Sequence, residues 1–199
     1  MARLGLVVVG ISALAAWGCG GGQSRVYPPA IASDAAQKAM ELYDSNKDGF
    51  LEGAELDKVP GLKAALKQVD TNGDGKINAE EISARIASWK TSKAARLNTA
   101  CKVLRKGKPL SGATVTLVPE SFLGTALKPA TATTDQSGMA MFSVDGPGGL
   151  PGVPPGFYRV EVTKSGEDIP AKYNTETVLG MEVAVDNAAR TTAIVYDLK

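Results

Sequence analysis

A twelve-residue pattern of oxygen-bearing side chains occurs twice, 26 residues apart, and each copy obliges the chain to wrap around a single point. The first copy runs from Asp44 to Glu55 and the second from Asp70 to Glu81. Positions 1, 3 and 5 are Asp44, Asn46 and Asp48 in the first, and Asp70, Asn72 and Asp74 in the second. Position 9 is Glu52 or Asn78, and position 12 is Glu55 or Glu81. Gly49 and Gly75 fall at position 6, where a sharp turn requires a conformation that glycine adopts without steric cost. Phe50 and Lys76 come next at position 7, where the backbone carbonyl supplies an oxygen. A flexible shell of this kind suits a hard cation that takes six to eight oxygens at roughly 2.3–2.6 Å, which is calcium. The metal-free alternative is a pair of solvated Asx turns, since short acidic and amide side chains bond to their own backbone.

These two stretches resemble EF-hand loops, with every ligand position filled and the apolar eighth position held by Leu51 and Ile77. The resemblance implies two calcium ions, each held between an entering and an exiting helix. Asp34 followed by Gln37 predicts a capping box and a helix over 35–43 that enters the first loop. Pro60-Gly61 divides the short connection between the loops, because proline is tolerated only at a helix start. Leu62, Leu66 and Val69, then Ile82, Ile86 and Trp89, recur at helical spacing and are expected to form the core of this unit. The last helix is expected to run to about Arg96. Met40 is the only methionine between Ala32 and Arg96, which argues against the methionine-rich groove of a calcium sensor. Dockerin modules also carry duplicated calcium loops, but they lack a helix before the first loop.

The start of the chain reads as an address. Arg3 precedes an apolar run over Leu4–Ala16 that is too short to span a bilayer as an ordinary helix, and Gly18-Cys19-Gly comes after it. This resembles a bacterial lipoprotein signal, which implies cleavage after residue 18 and acylation of Cys19. Simple secretion is the alternative, and either reading places the chain outside the cytoplasm. Residues 19–31 are expected to be a tether, 32–96 the EF-hand pair, and 97–199 a second domain. Cys101 is the one further cysteine, so an acylated Cys19 leaves no internal disulfide. It is expected to be a buried strand residue, with an intermolecular disulfide as the alternative.

From Leu97 the periodicity changes from helical to alternating. Seven strands are expected near 99–105, 113–119, 130–134, 139–144, 157–164, 178–185 and 191–198, with turn residues between them. That pattern indicates an antiparallel seven-stranded β-sandwich. The segments Gly107–Val115, Thr134–Phe142 and Pro155–Val160 resemble the carboxypeptidase-regulatory-like domain, a transthyretin-like sandwich of secreted and envelope proteins. Ile169–Asn174 resembles a Pro-x-Lys-Tyr segment of small bacterial lipoproteins of that type. The resemblance concerns turns and core positions, so it implies a fold rather than an activity. Two units with separate cores would melt separately, the helical one alone responding to calcium.

Composition narrows the function. The 199 residues contain no histidine, which removes the commonest general base, the Ser/His and Cys/His pairs, and the commonest ligand of catalytic zinc. Transthyretin-like hydrolases depend on histidines, so no enzyme is expected. Lysine and arginine number 22 against 21 acidic residues, and no basic stripe points to nucleic acid. The partners expected are an envelope protein or polysaccharide, and a lipid bilayer through Cys19. Carbohydrate binding is a rival reading; Phe122 and Tyr173, placed in loops, are the candidate sugar platforms. The Gly/Pro-rich loop 145–155 is either a partner-binding loop or an inert connection. The expectation is a non-enzymatic calcium-binding envelope lipoprotein, structural or adaptor in role, with a calcium-gated partner-binding protein as the other alternative.

Overall fold

A computed structural model describes Met1 and residues 28–144, 146, 149, 151–187 and 193–199. The leader, Cys19, part of the Gly/Pro-rich loop and the expected start of the last strand lie outside the described residues. Helix α1 (Ala35–Tyr43) buries Ala35, Ala36, Ala39 and Met40 along one face. The expected capping box at its start does not form, because Asp34 pairs with Lys38 one turn on, at 3.0 Å, and caps nothing. A 3₁₀ turn (Leu56–Lys58) leads into α2 (Pro60–Ala64), which begins on its proline, and α3 (Leu66–Val69) comes after a break at Ala65. Helix α4 (Ala79–Thr91) stops short of Arg96, and Lys93 just beyond it takes a left-handed φ of +54°. Among the described residues, no helix is long and apolar enough to cross a membrane.

The C-terminal half forms two four-stranded sheets. In one, β4 (Ala130–Thr133), β3 (Thr114–Pro119), β6 (Gly156–Thr163) and β7 (Gly180–Val183) lie in that order, all antiparallel. In the other, β1 (Ala100–Arg105) pairs antiparallel with β5 (Met139–Met141) and with β2 (Lys108–Pro109), and parallel with β8 (Ile194–Leu198). The expectation of seven antiparallel strands therefore needs two corrections. Lys108-Pro109 folds back on β1 through the Lys106-Gly107 turn and adds a short strand, and β8 returns parallel to β1. Cys101 is fully buried on β1, where burial pushes its thiol up to about 12, so it is neither a ready nucleophile nor a disulfide partner.

A single buried cluster runs through both halves, so the expected division into two cores does not hold. The reason is that β6 and β7 are covered on both faces. Tyr158, Val160, Val162, Met181 and Val183 alternate toward the sheet core. Phe157 and its register partner Glu182 point the opposite way, toward α4. Trp89 meets Phe157 edge-on at 4.6 Å between ring centroids, and the Phe122 ring is tilted against Phe157 at 6.1 Å. The expected tether also ends earlier: Ile31 is buried, and its carbonyl accepts from Lys90 Nζ at 3.4 Å.

Candidate metal centre

Both twelve-residue loops are built by the same five hydrogen bonds. Asp44 Oδ2 accepts from Gly49 N at 3.0 Å, and Asp70 Oδ2 from Gly75 N at 2.9 Å. Asn46 Oδ1 accepts from Asp48 N and Asn72 Oδ1 from Asp74 N, at 3.0 and 2.8 Å. Asp48 Oδ1 accepts from Phe50 N and Asp74 Oδ1 from Lys76 N, at 2.9 and 2.8 Å. The position-12 glutamates then close each loop. Glu55 accepts from Ser45 N at 2.8 Å and Glu52 N at 3.4 Å; Glu81 accepts from Thr71 N at 3.0 Å and Asn78 N at 3.1 Å. Gly49 and Gly75 have φ of +87° and +80°, the left-handed values that the turn demands.

Packing fixes these loops against each other. Leu51 and Ile77 exchange backbone hydrogen bonds of 2.7 and 3.1 Å in an antiparallel bridge, and both side chains are fully buried. Glu55 and Glu81 are 8% and 6% exposed, which is uncommon for glutamate and sustained by the N–H groups that surround each carboxylate. The ninth-position residues have partners of their own. Glu52 Oε2 pairs across to Lys76 Nζ at 2.9 Å, and Lys76 also sits 5.5 Å over the Phe50 ring. Asn78 Oδ1 accepts from Glu81 N and forms with Glu81 the capping box that starts α4.

Among the described residues, no three His, Cys, Asp or Glu side chains converge as a ready metal-binding group. The hydrogen bonds above explain this, since each carboxylate is turned onto N–H donors of its own loop. The donor set still fits a hard cation. Asp44 Oδ1 is buried with no hydrogen-bond partner, and the Phe50 and Lys76 carbonyls accept no hydrogen bond among the described residues. Positions 1 and 7 are where a calcium ion would collect ligands.

A protein-family model described as EF hand matches residues 62–86. That span is similar to an EF hand. It takes in α2 from Leu62, α3, the second loop and the first two turns of α4. No curated protein and no solved structure matches the chain. The EF hand implies calcium binding, and the first loop, outside the match, repeats the hydrogen bonds of the matched one.

Below the EF hand lies an anchor that residue spacing alone did not expose. Arg85, one turn after Glu81, donates to Glu182 from Nε and Nη2 at 2.6 and 3.0 Å and to Asp186 from both terminal nitrogens at 2.8 Å. Trp89 Nε1 adds a third donor to Glu182 at 3.1 Å. Although burial opposes the charge on Arg85, the Asp186 and Glu182 bonds outweigh it and raise the guanidinium above its ordinary value. Burial pushes the Glu182 carboxyl up, against the pull of Arg85 and Trp89. The available signal was Arg85's position on the apolar stripe of Ile82, Ile86 and Trp89, where a charged residue needs a partner. A second contact joins Gly61 N to Glu120 Oε1 at 2.7 Å, and burial pushes the Glu120 carboxyl up to about 7. Phe122 and Tyr173 are 1% and 7% exposed, so neither ring offers the platform on which a sugar would stack.

Proposed function

We propose that this chain is a non-enzymatic calcium-binding protein of the bacterial envelope, in which two ions stabilise a structural or interaction module. The observation that carries the reading is the repetition of the matched EF hand's hydrogen bonds in the first loop. Asp44, Asn46, Asp48, Glu55 and the Phe50 carbonyl would hold one ion; Asp70, Asn72, Asp74, Glu81 and the Lys76 carbonyl would hold the other. Calcium would supply the positive charge that lets each set of acidic side chains approach one point. Glu52 and Asn78, engaged elsewhere, would act through water, as the ninth position often does. The absence of histidine supports a non-enzymatic role. The Gly18-Cys19 signal supports a lipid anchor, and the transthyretin-like segments support a sandwich arrangement of the two sheets that serves as spacer or partner-binding module.

Calorimetric titration of calcium-stripped protein tests this. Two sites are expected in the ~10⁻⁵–10⁻³ M range of sensors and extracellular modules, with magnesium competing poorly. A flat trace removes the reading. In cells, a fatty-acid label is expected on the wild type and not on Cys19→Ser; a label retained in that variant removes the anchor at this position.

A further inference from the structure

The apolar face of the paired helices is covered, and the same chain covers it. We propose that the C-terminal sheet is the built-in partner of the EF-hand pair, and that calcium occupancy is coupled to the docking of the helices on β6 and β7. This rests on the reading that the two loops bind calcium.

Three of the loop ends run straight into the contact. Tyr43, immediately before Asp44, hydrogen-bonds Ser121 Oγ through its hydroxyl at 2.8 Å. After Glu55 the chain reaches Gly61, where a Cβ would lie 2.7 Å from Tyr158 N and 2.8 Å from Glu120 Oε1. After Glu81 the same helix carries Arg85 and Trp89 to Glu182. On the sheet side, a Cβ at Gly180 would overlap the Pro60 carbonyl, so α2 and β7 meet at a distance that only glycine permits. These contacts fix one docked arrangement. A position-12 glutamate that shifts to meet an ion moves an element whose next residues are held by the sheet. An outside partner could reach the apolar face only by lifting Trp89 from Phe157 and leaving Glu182, whose side chain has 0% exposure, without its guanidinium. Held by the sheet, each exit segment presents its glutamate with less freedom to lose on meeting an ion, so docking favours calcium binding, and by linkage calcium favours docking.

The test uses the full chain carrying Trp17→Phe, so that Trp89 alone reports by fluorescence, with calcium affinity measured by chelator competition. Removing calcium should shift Trp89 emission to the red and raise its quenching by acrylamide. Glu182→Gln, which touches no loop residue, should weaken calcium binding on the order of tenfold. Trp89 emission that ignores calcium, even if Glu182→Gln fails to fold, overturns the coupling while leaving the calcium sites standing. Glu182→Gln that folds and binds calcium as the parent does also overturns it. Failure of the parent to bind calcium removes the proposal together with the reading beneath it.

Discussion

The two loops share their hydrogen bonds and differ in the segment through which the chain leaves each of them. The first leaves through a three-residue 3₁₀ turn and a five-residue helix that leans on the backbone of β6 and on Glu120. The second leaves through thirteen residues of α4, started by a capping box and held by Arg85 and Trp89 against Glu182. Local sequence sets the loop, because Asx turns and glycine act over a few residues. The stiffness behind each loop is set by the sheet it rests on. Two nearly identical loops thus have different mechanical backing, one through a neutralisable carboxyl and one through a buried ion pair.

Calcium should reveal that both loops nevertheless serve one cooperative body. Because a single core runs through helices and sheets, calorimetry should show one transition rather than two, and calcium should raise it as a whole. Each site should contribute ~2.7 kcal/mol at a hundredfold excess over its dissociation constant. Glu55→Gln and Glu81→Gln should each remove one such share. Two transitions, only one of them moved by calcium, would contradict the shared core.

A pH series separates the two anchors. Glu120 is raised to about 7 by burial, against the Gly61 N–H and the Arg159 charge, while the unfolded chain ionises it near 4.5. Between these values the unfolded state binds fewer protons than the folded one, so stability falls as pH rises from about 4.5 to 7 and then levels. The loss is on the order of 3 kcal/mol from the size of that shift. Glu120→Gln should flatten this slope and bring its gain at pH 8, read as melting temperature. An unchanged slope would mean that Glu120 is not the group responsible.

The smallest contrast is at the ninth positions. Asn78→Ala removes the cap of α4 and should cost about 1 kcal/mol. Glu52→Ala, whose partner is the half-exposed Lys76, should shift the denaturation midpoint less. Equal losses would show that capping does not distinguish the two exits.

Much of the secondary structure was legible before the fold was known. Helix α1 falls on 35–43 as expected, and each expected strand overlaps an observed one, because alternation and turn residues act locally. Asp34 misled because a carboxylate before a helix can cap it or pair with a lysine one turn on, and spacing does not choose between them. Phe122 and Tyr173 were legible as loop aromatics, for which local packing is the commoner use, and both lie in 3₁₀ turns folded back onto the core. Trp89 was legible as buried, but not as buried against another half of the chain.

The sequence by itself determined the loops, since oxygen donors at positions 1, 3, 5 and 12 around an obligatory glycine leave few other uses for such a stretch. It also determined where helical periodicity ends and alternation begins. Only the tertiary structure decided that Arg85 meets Glu182, 97 residues away, and that Gly61 and Gly180 bring α2 onto β6 and β7. Helix and strand patterns record which face of an element is apolar, whereas the partner of that face depends on shape and charge complementarity between distant segments. That information resides in pairs of residues, and a single sequence presents them only one at a time.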